Sequence, residues 1–92
     1  MQNQNMSVRG GSVSDGKKVT IYSTPSCHFC HIAKDFFKAN NIAYTEYDVA
    51  SNLEKRKEMI EKSGQMGVPV IIINDELIVG FAKSKISQLL GL

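Results

Sequence analysis

The chain has 92 residues, 42% of them hydrophobic and 22% charged, with 11 Lys and Arg against 9 Asp and Glu for a formal charge of +2. That composition fits one globular domain and excludes wholesale disorder or a fibrous repeat. The even charge balance excludes nucleic-acid binding driven by bulk charge, and no apolar run nears the roughly 18 residues that a membrane span needs.

Residues Met1 to Gly16 are rich in Gln, Asn, Ser and Gly with little apolar content, and predict a flexible tail (1–16) ahead of a folded domain (17–92). The tail has no apolar stretch behind a basic start, as a secretory signal would, so a cytoplasmic setting is expected. Lys17 to Ser23 is β-branched and aromatic and predicts a strand. Thr24-Pro25-Ser26 interrupts it. Cys30, Ala33, Phe36 and Phe37 then recur at helical spacing, which predicts a helix from Cys27 to Asn40 with Ser26 as its N-cap. Asn40-Asn41 can take the left-handed turn that ends it.

Ile42 to Val49 alternates as a second strand. Ser51-Asn52-Leu53-Glu54 matches a capping box, so a charged helix should start there, with Ser51 as its cap, and run to Ser63 before Gly64 closes it. The alternating charges of Glu54 to Lys62 are read as a solvated face. Val68 to Ile73 is a continuous apolar run, as in a strand covered on both faces. Asn74-Asp75-Glu76 reads as a hairpin turn into Leu77-Ile78-Val79, and Ala82 to Leu90 as a helix with Ile86, Leu89 and Leu90 on its apolar side. Tyr22, Tyr44 and Tyr47 sit in strand patterns and are read as packing residues.

The predicted order is β-α-β-α-β-β-α, an α/β class. The first strand–helix–strand unit requires a right-handed crossover and parallel neighbours. The hairpin adds two antiparallel strands, giving a four-stranded mixed sheet with helices on both faces.

Cys27 and Cys30 are the only cysteines. A bridge closing about four residues removes only roughly 2 kcal/mol of chain entropy, so structural stapling explains the pair poorly. Reversible chemistry explains it better. A Cys-x-x-Cys opening the first helix of a βαβ unit is the pattern of a thioredoxin-like redox motif. An ordinary thiol is only a few per cent ionised at neutral pH, and the thiolate is the nucleophile. The helix dipole supplies about 0.3–1 kcal/mol, so backbone amides and the Cys30 thiol must supply most of what keeps Cys27 ionised. Cys27 is therefore read as the exposed nucleophile. Cys30, one turn inward beside Ala33 and Phe37, is read as the resolving thiol.

Other readings compete at the same residues. His28 either tunes the thiolate or is a solvated loop residue. His31 completes Cys-x-x-Cys-His, formally a haem attachment pattern, but is read as a partly exposed helix residue. A zinc site would need four ligands from one helix start, which one helix cannot arrange tetrahedrally, so no metal ligand is assigned. A metal or iron–sulfur cluster bridging two chains through Cys27 is the alternative function. Pro69 either begins its strand in the trans form or is cis and turns the Val68 backbone toward an extended peptide.

Ile21 to Cys30, together with Gly67-Val68-Pro69 and Val79-Gly80-Phe81, resembles the glutaredoxin family over Lys17 to Leu92. The resemblance implies a thioredoxin-like fold, a cis Val68–Pro69 bond and dithiol–disulfide exchange through Cys27 and Cys30 on disulfide-containing proteins. Substrate-binding residues would be Thr24, Phe29, Val68, Pro69, Gly80 and Phe81. It implies no bound cofactor, a monomer, and electrons from glutathione or from an NADPH-dependent thioredoxin reductase. Glutathione-binding members often place Lys at Thr24, Thr at Gly67 and a Gly pair at Val79-Gly80. Their acidic residues, which hold glutathione's amino group, fall at about Ala82 and Lys83. A lysine there repels an ammonium, so glutathione is expected to be a poor partner. Gly80-Phe81 is instead similar to the glutaredoxin-like electron donors of ribonucleotide reductase, which thioredoxin reductase recharges. The monothiol, cluster-carrying branch keeps a Ser at the place of Cys30, which this chain does not.

Overall fold

Alternation along one strand decides the architecture. In the computed structural model, which describes residues 18–92, Val19–Ser23 forms strand β1. Its Val19 and Ile21 point to one face of the sheet and Tyr22 to the other, because successive strand side chains alternate. Val19 and Ile21 join Ala33, Phe37, Ile86 and Leu90 in one core, whereas Tyr22 joins Val49, Met59 and Val70 in a second. Both sides of the sheet are therefore covered.

The elements follow the expected order: helix α1 is His28–Ala39, strand β2 Thr45–Asp48, helix α2 Leu53–Ser63, strand β3 Val70–Ile73, strand β4 Glu76–Val79 and helix α3 Lys83–Leu90. The sheet order is β2-β1-β3-β4. Strand β1 runs parallel to β2, with Ile21 opposite Glu46, and antiparallel to β3, with Ile21 also opposite Ile71. Helices α1 and α3 supply the first core and α2 the second, which is the mixed α/β sheet of a thioredoxin-like fold. The predicted tail at 1–16 lies outside the described residues, as does Lys17.

Element boundaries differ from the sequence reading where a side chain has another use. Strand β2 starts at Thr45 rather than Ile42, because Ile42 is buried and gives its N–H to Phe37 O at 2.8 Å, closing the end of α1. Asn41 takes the left-handed turn there, with φ 57°. The cap of α2 is Asn52, not Ser51: its Oδ1 accepts the Lys55 N–H at 3.1 Å. Strand β3 begins after Pro69, which has no N–H to offer a ladder. The β3–β4 turn uses Asn74 and Asp75, both at positive φ, as a two-residue hairpin demands. Gly64 ends α2 at φ 73° as expected.

Candidate active site

The carboxyl end of β1 delivers the chain through Thr24-Pro25-Ser26 into α1. The Cys27 N–H reaches back to Thr24 O at 3.3 Å, and the first helical bond is His31 N–H to Cys27 O at 3.2 Å. Cys27 itself is extended, with φ −83° and ψ 114°, so it is the N-cap residue and Ser26 is not. The physical reason is that its Sγ does what a capping oxygen does: it accepts the Cys30 N–H at 3.2 Å. The sulfur thus sits half-buried over the open end of the helix, where an unsatisfied backbone donor faces it.

Cys30 lies one turn inward with no solvent exposure. Burial pushes its thiol up to about 12, reinforced by its hydrogen bond with Cys27 and the charge there, while the Thr24 backbone and Lys34 pull the other way. Both thiols are free. The pair is therefore asymmetric: one sulfur is reachable and held by a main-chain donor, and the other is enclosed and held protonated.

The second wall is the Val68–Pro69 segment. This peptide bond is cis, and Val68 O accepts from the Cys27 thiol at 3.8 Å. Pro69 is buried and Val68 half-buried against the α2 core. Beyond it, Gly80 N–H donates to Pro69 O at 2.8 Å with Gly80 at φ 87°, a left-handed conformation that suits glycine. Thr24 is half-buried at the turn, and Phe29 is 58% exposed next to His28 on the first turn of α1. Phe81 turns inward: its ring packs edge-to-face on Phe36, 5.6 Å between centroids, against the first core. Hence Thr24, Val68 and Pro69 gather at Cys27, Gly80 braces Pro69, and Phe81 packs away from them into the first core.

His28 is exposed, and His31 is exposed with Nε2 at 2.7 Å from Pro25 O, a contact that ties the helix to the turn before it. Among the described residues, no three of His, Cys, Asp and Glu gather closely enough to hold a metal ion. A cleft of about 290 Å³ lies on the opposite side, under α2, lined by Lys18, Tyr22, Tyr47, Lys55, Glu58 and Lys62; it contains neither cysteine. There Glu58 accepts from the Tyr22 hydroxyl and from Lys55, which hold its carboxyl below the usual range.

Two supporting groups escaped the sequence reading. Gln65 clamps Gly67, its Oε1 accepting the Gly67 N–H at 2.6 Å and its Nε2 donating to Gly67 O at 3.1 Å, which fixes the backbone entering Val68. One turn past Cys30 on α1, Lys34 Nζ donates to Glu46 Oε2 at 2.7 Å, and the same oxygen accepts from buried Ser23 at 2.8 Å. The i,i+4 spacing of Cys30 and Lys34 was the available signal for the second.

The comparisons agree with this geometry. Residues 19–78 match the sequence model of the family described as Glutaredoxin. An uncharacterized glutaredoxin-like 8.6 kDa protein in the rubredoxin operon of Clostridium pasteurianum is 43% identical over 72 residues, covering 78% of this chain and 96% of that protein. Glutaredoxin 3 of Escherichia coli K12 is 37% identical over 62 residues, covering 67% and 75%. The glutaredoxin-like protein NrdH of Lactococcus lactis subsp. cremoris is 32% identical over 74 residues, covering 77% and 97%. Among solved structures, the thioredoxin-like protein BC3987 superposes with a TM-score of 0.74 at 35% identity, covering 78% of this chain and 99% of that one. With its Cys-x-x-Cys at the head of α1, this chain belongs to the glutaredoxin family and is a thiol–disulfide oxidoreductase.

Proposed function

We propose that the domain at 17–92 reduces disulfides in proteins through a Cys27–Cys30 couple. Ionised Cys27 attacks a substrate disulfide, a mixed disulfide forms, and the second substrate sulfur leaves and takes up a proton. Cys30 then gives up its proton and attacks Cys27 Sγ. The substrate's remaining sulfur leaves as a thiol, and a Cys27–Cys30 disulfide stays on the protein. Two electrons have passed to the substrate. The observation that carries this reading is the asymmetry of the pair: a half-buried Sγ accepting the Cys30 N–H at 3.2 Å, beside a thiol with no exposure.

The same asymmetry orders the steps. Two of the influences that hold Cys30 protonated, its hydrogen bond to Cys27 and the charge there, end once Cys27 is locked in a mixed disulfide. Ionisation of Cys30 is then easier than in the resting pair, although burial, the largest cause, still opposes it, and its placement makes the attack intramolecular. Thr24, exposed Phe29 and the Val68 backbone would receive the substrate chain, with Pro69 and Gly80 holding that wall in place.

For the electron source we favour an NADPH-dependent thioredoxin reductase over glutathione, with the exchange running in the reducing cytoplasm. Helix α3 carries no acidic residue in its first turn and opens with Lys83, which disfavours glutathione's ammonium. Gly80-Phe81 and the likeness to NrdH support the same choice. The test is NADPH oxidation with insulin as the disulfide substrate, supplied either with thioredoxin reductase or with glutathione and its reductase. Turnover with the first and little with the second is expected, and Cys30→Ser should accumulate mixed disulfides. Full turnover by Cys30→Ser would overturn the dithiol assignment, and visible absorbance in the purified protein would favour a bridged metal or cluster instead.

A further inference from the structure

The resolving step has a problem that the two cysteines do not solve: a buried thiol must become a thiolate inside the protein. We propose that Lys34, held in place by Glu46 and Ser23, is a positioning residue for that step, its ammonium favouring the ionised form of Cys30. The inference rests on the dithiol reading above.

The geometry is specific. Lys34 follows Cys30 by four residues, so the two are neighbours on one face of α1, about 5–6 Å apart at Cβ. Its side chain is only 15% exposed, far less than a surface lysine usually is. Glu46 reaches it from β2, the register placing Glu46 opposite Ile21 and beside Ser23. A single carboxylate oxygen accepts from both Lys34, at 2.7 Å, and Ser23, at 2.8 Å, and Ser23 is 1% exposed. The ammonium is thus tethered to β2 through a carboxylate that β1 also holds, on the α1 face that carries Cys30.

The groups that bear on Cys30 are few. From its own helix comes Lys34, from the cap Cys27, and from the preceding turn the Thr24 backbone. From β2 and the residue before it, Glu46 and Tyr44 act on Lys34, and Asp48 acts on Glu46. From β1 the nearest contribution to this cluster is the Ser23 hydroxyl, which is neutral. Of the cations in this group, Lys34 is the one whose charge lowers the Cys30 thiol. In the step itself Cys30 S–H gives up its proton, which ends on the leaving substrate sulfur, the thiolate forms a bond to Cys27 Sγ, and the bond from Cys27 to the substrate sulfur breaks. The leaving sulfur departs with the electron pair, so no further oxidant or reductant is needed. Lys34 keeps its proton throughout.

The test is stopped-flow reaction of the reduced full chain with 5,5′-dithiobis(2-nitrobenzoate), which releases one coloured thiolate when Cys27 attacks and a second when Cys30 resolves the adduct. Both phases are followed from pH 6 to 11 in wild type, Lys34→Met, Lys34→Gln and Lys34→Arg. Gln removes the charge while keeping a polar donor, one bond shorter, on the same face. The expected result is an unchanged first phase, and a second phase whose inflection moves up by about one pH unit in both Met and Gln, which is about tenfold slower at neutral pH. Arg restores the profile. An unmoved inflection in Met and Gln, or Gln behaving as wild type, overturns the inference alone. A single release from wild type overturns the dithiol reading and the inference with it.

Discussion

Removing the outer thiol isolates the inner one. In Cys27→Ser, Cys30 loses its hydrogen bond to the neighbouring sulfur and the charge there, but keeps the burial that is the largest cause of its raised value of about 12. At pH 7.5 a thiol near 12 is ionised to about 3 parts in 100,000, whereas an ordinary cysteine near 8.5 is about one-tenth ionised, a ratio of about three thousand. Zero exposure adds a steric barrier to any reagent. Even with part of the elevation relieved by the substitution, iodoacetamide should modify Cys30 in the folded variant at least a hundredfold more slowly than a model peptide cysteine. Wild type should take up one label, at Cys27, before Cys30 reacts. Peptide mapping by mass spectrometry after timed quenching reads both. Labelling of Cys30 in the folded variant within tenfold of the peptide would refute the argument that burial separates the roles.

Acid should weaken the fold through two carboxyls. Glu46 is held below 4.5 by its hydrogen bond from Lys34, and Glu58 by those from Tyr22 and Lys55, so the folded state binds fewer protons than the unfolded one. Their contribution is present above about pH 4.5 and is lost as pH falls through the folded values, and urea midpoints between pH 3 and 6 should show a fall that Glu58→Gln flattens. Phe37→Ala removes a side chain with no exposure from the centre of the α1–α3 core and should cost about 3–5 kcal/mol in chemical denaturation. A Cβ at Gly80 would meet nothing within 4 Å, so Gly80→Ala should lose only the roughly 1–2 kcal/mol of an L residue held at φ 87°. Gln65→Ala frees the Gly67 backbone that enters Val68; KM for insulin should rise several-fold while the rate of Cys27 alkylation stays unchanged.

What the sequence made legible was periodic. Alternation in β1 and the 3.6-residue spacing of Cys30, Ala33 and Phe37 are carried by the core itself, so element order, sheet class and the inner placement of Cys30 could be read directly. Boundaries were less legible, because they depend on which of two neighbouring residues captures a single hydrogen bond. Ser51 and Asn52 are both good caps, and Asn52 takes the Lys55 N–H. Ser26 was the better cap by type, yet Cys27 occupies the place. Tertiary polar contacts were not legible at all. Lys34 and Glu46 are twelve residues apart on different elements, and their meeting with Ser23 depends on the register of β1 and β2. Ser23 itself, a small polar residue in an apolar run, gave no sign that it would be buried.

The displacement of Cys27 from the first helical position to the cap changes the thermodynamics of the couple as well as its kinetics. At the first helical position the sulfur would feel mainly the diffuse field of the helix end, about 0.3–1 kcal/mol. At the cap it accepts one particular donor, the N–H of the very residue that will later bond to it, at 3.2 Å. In the reduced pair the sulfur accepts that hydrogen bond, whereas a disulfide sulfur accepts poorly. Oxidation therefore removes an acceptor from the Cys30 N–H in the same event that joins the two sulfurs. The bond counts toward the reduced state alone, which makes the oxidised pair easier to reduce. Capping by sulfur thus presents Cys27 Sγ at the open end of α1 and makes the oxidised pair easier to reduce, both through the extended backbone of residue 27.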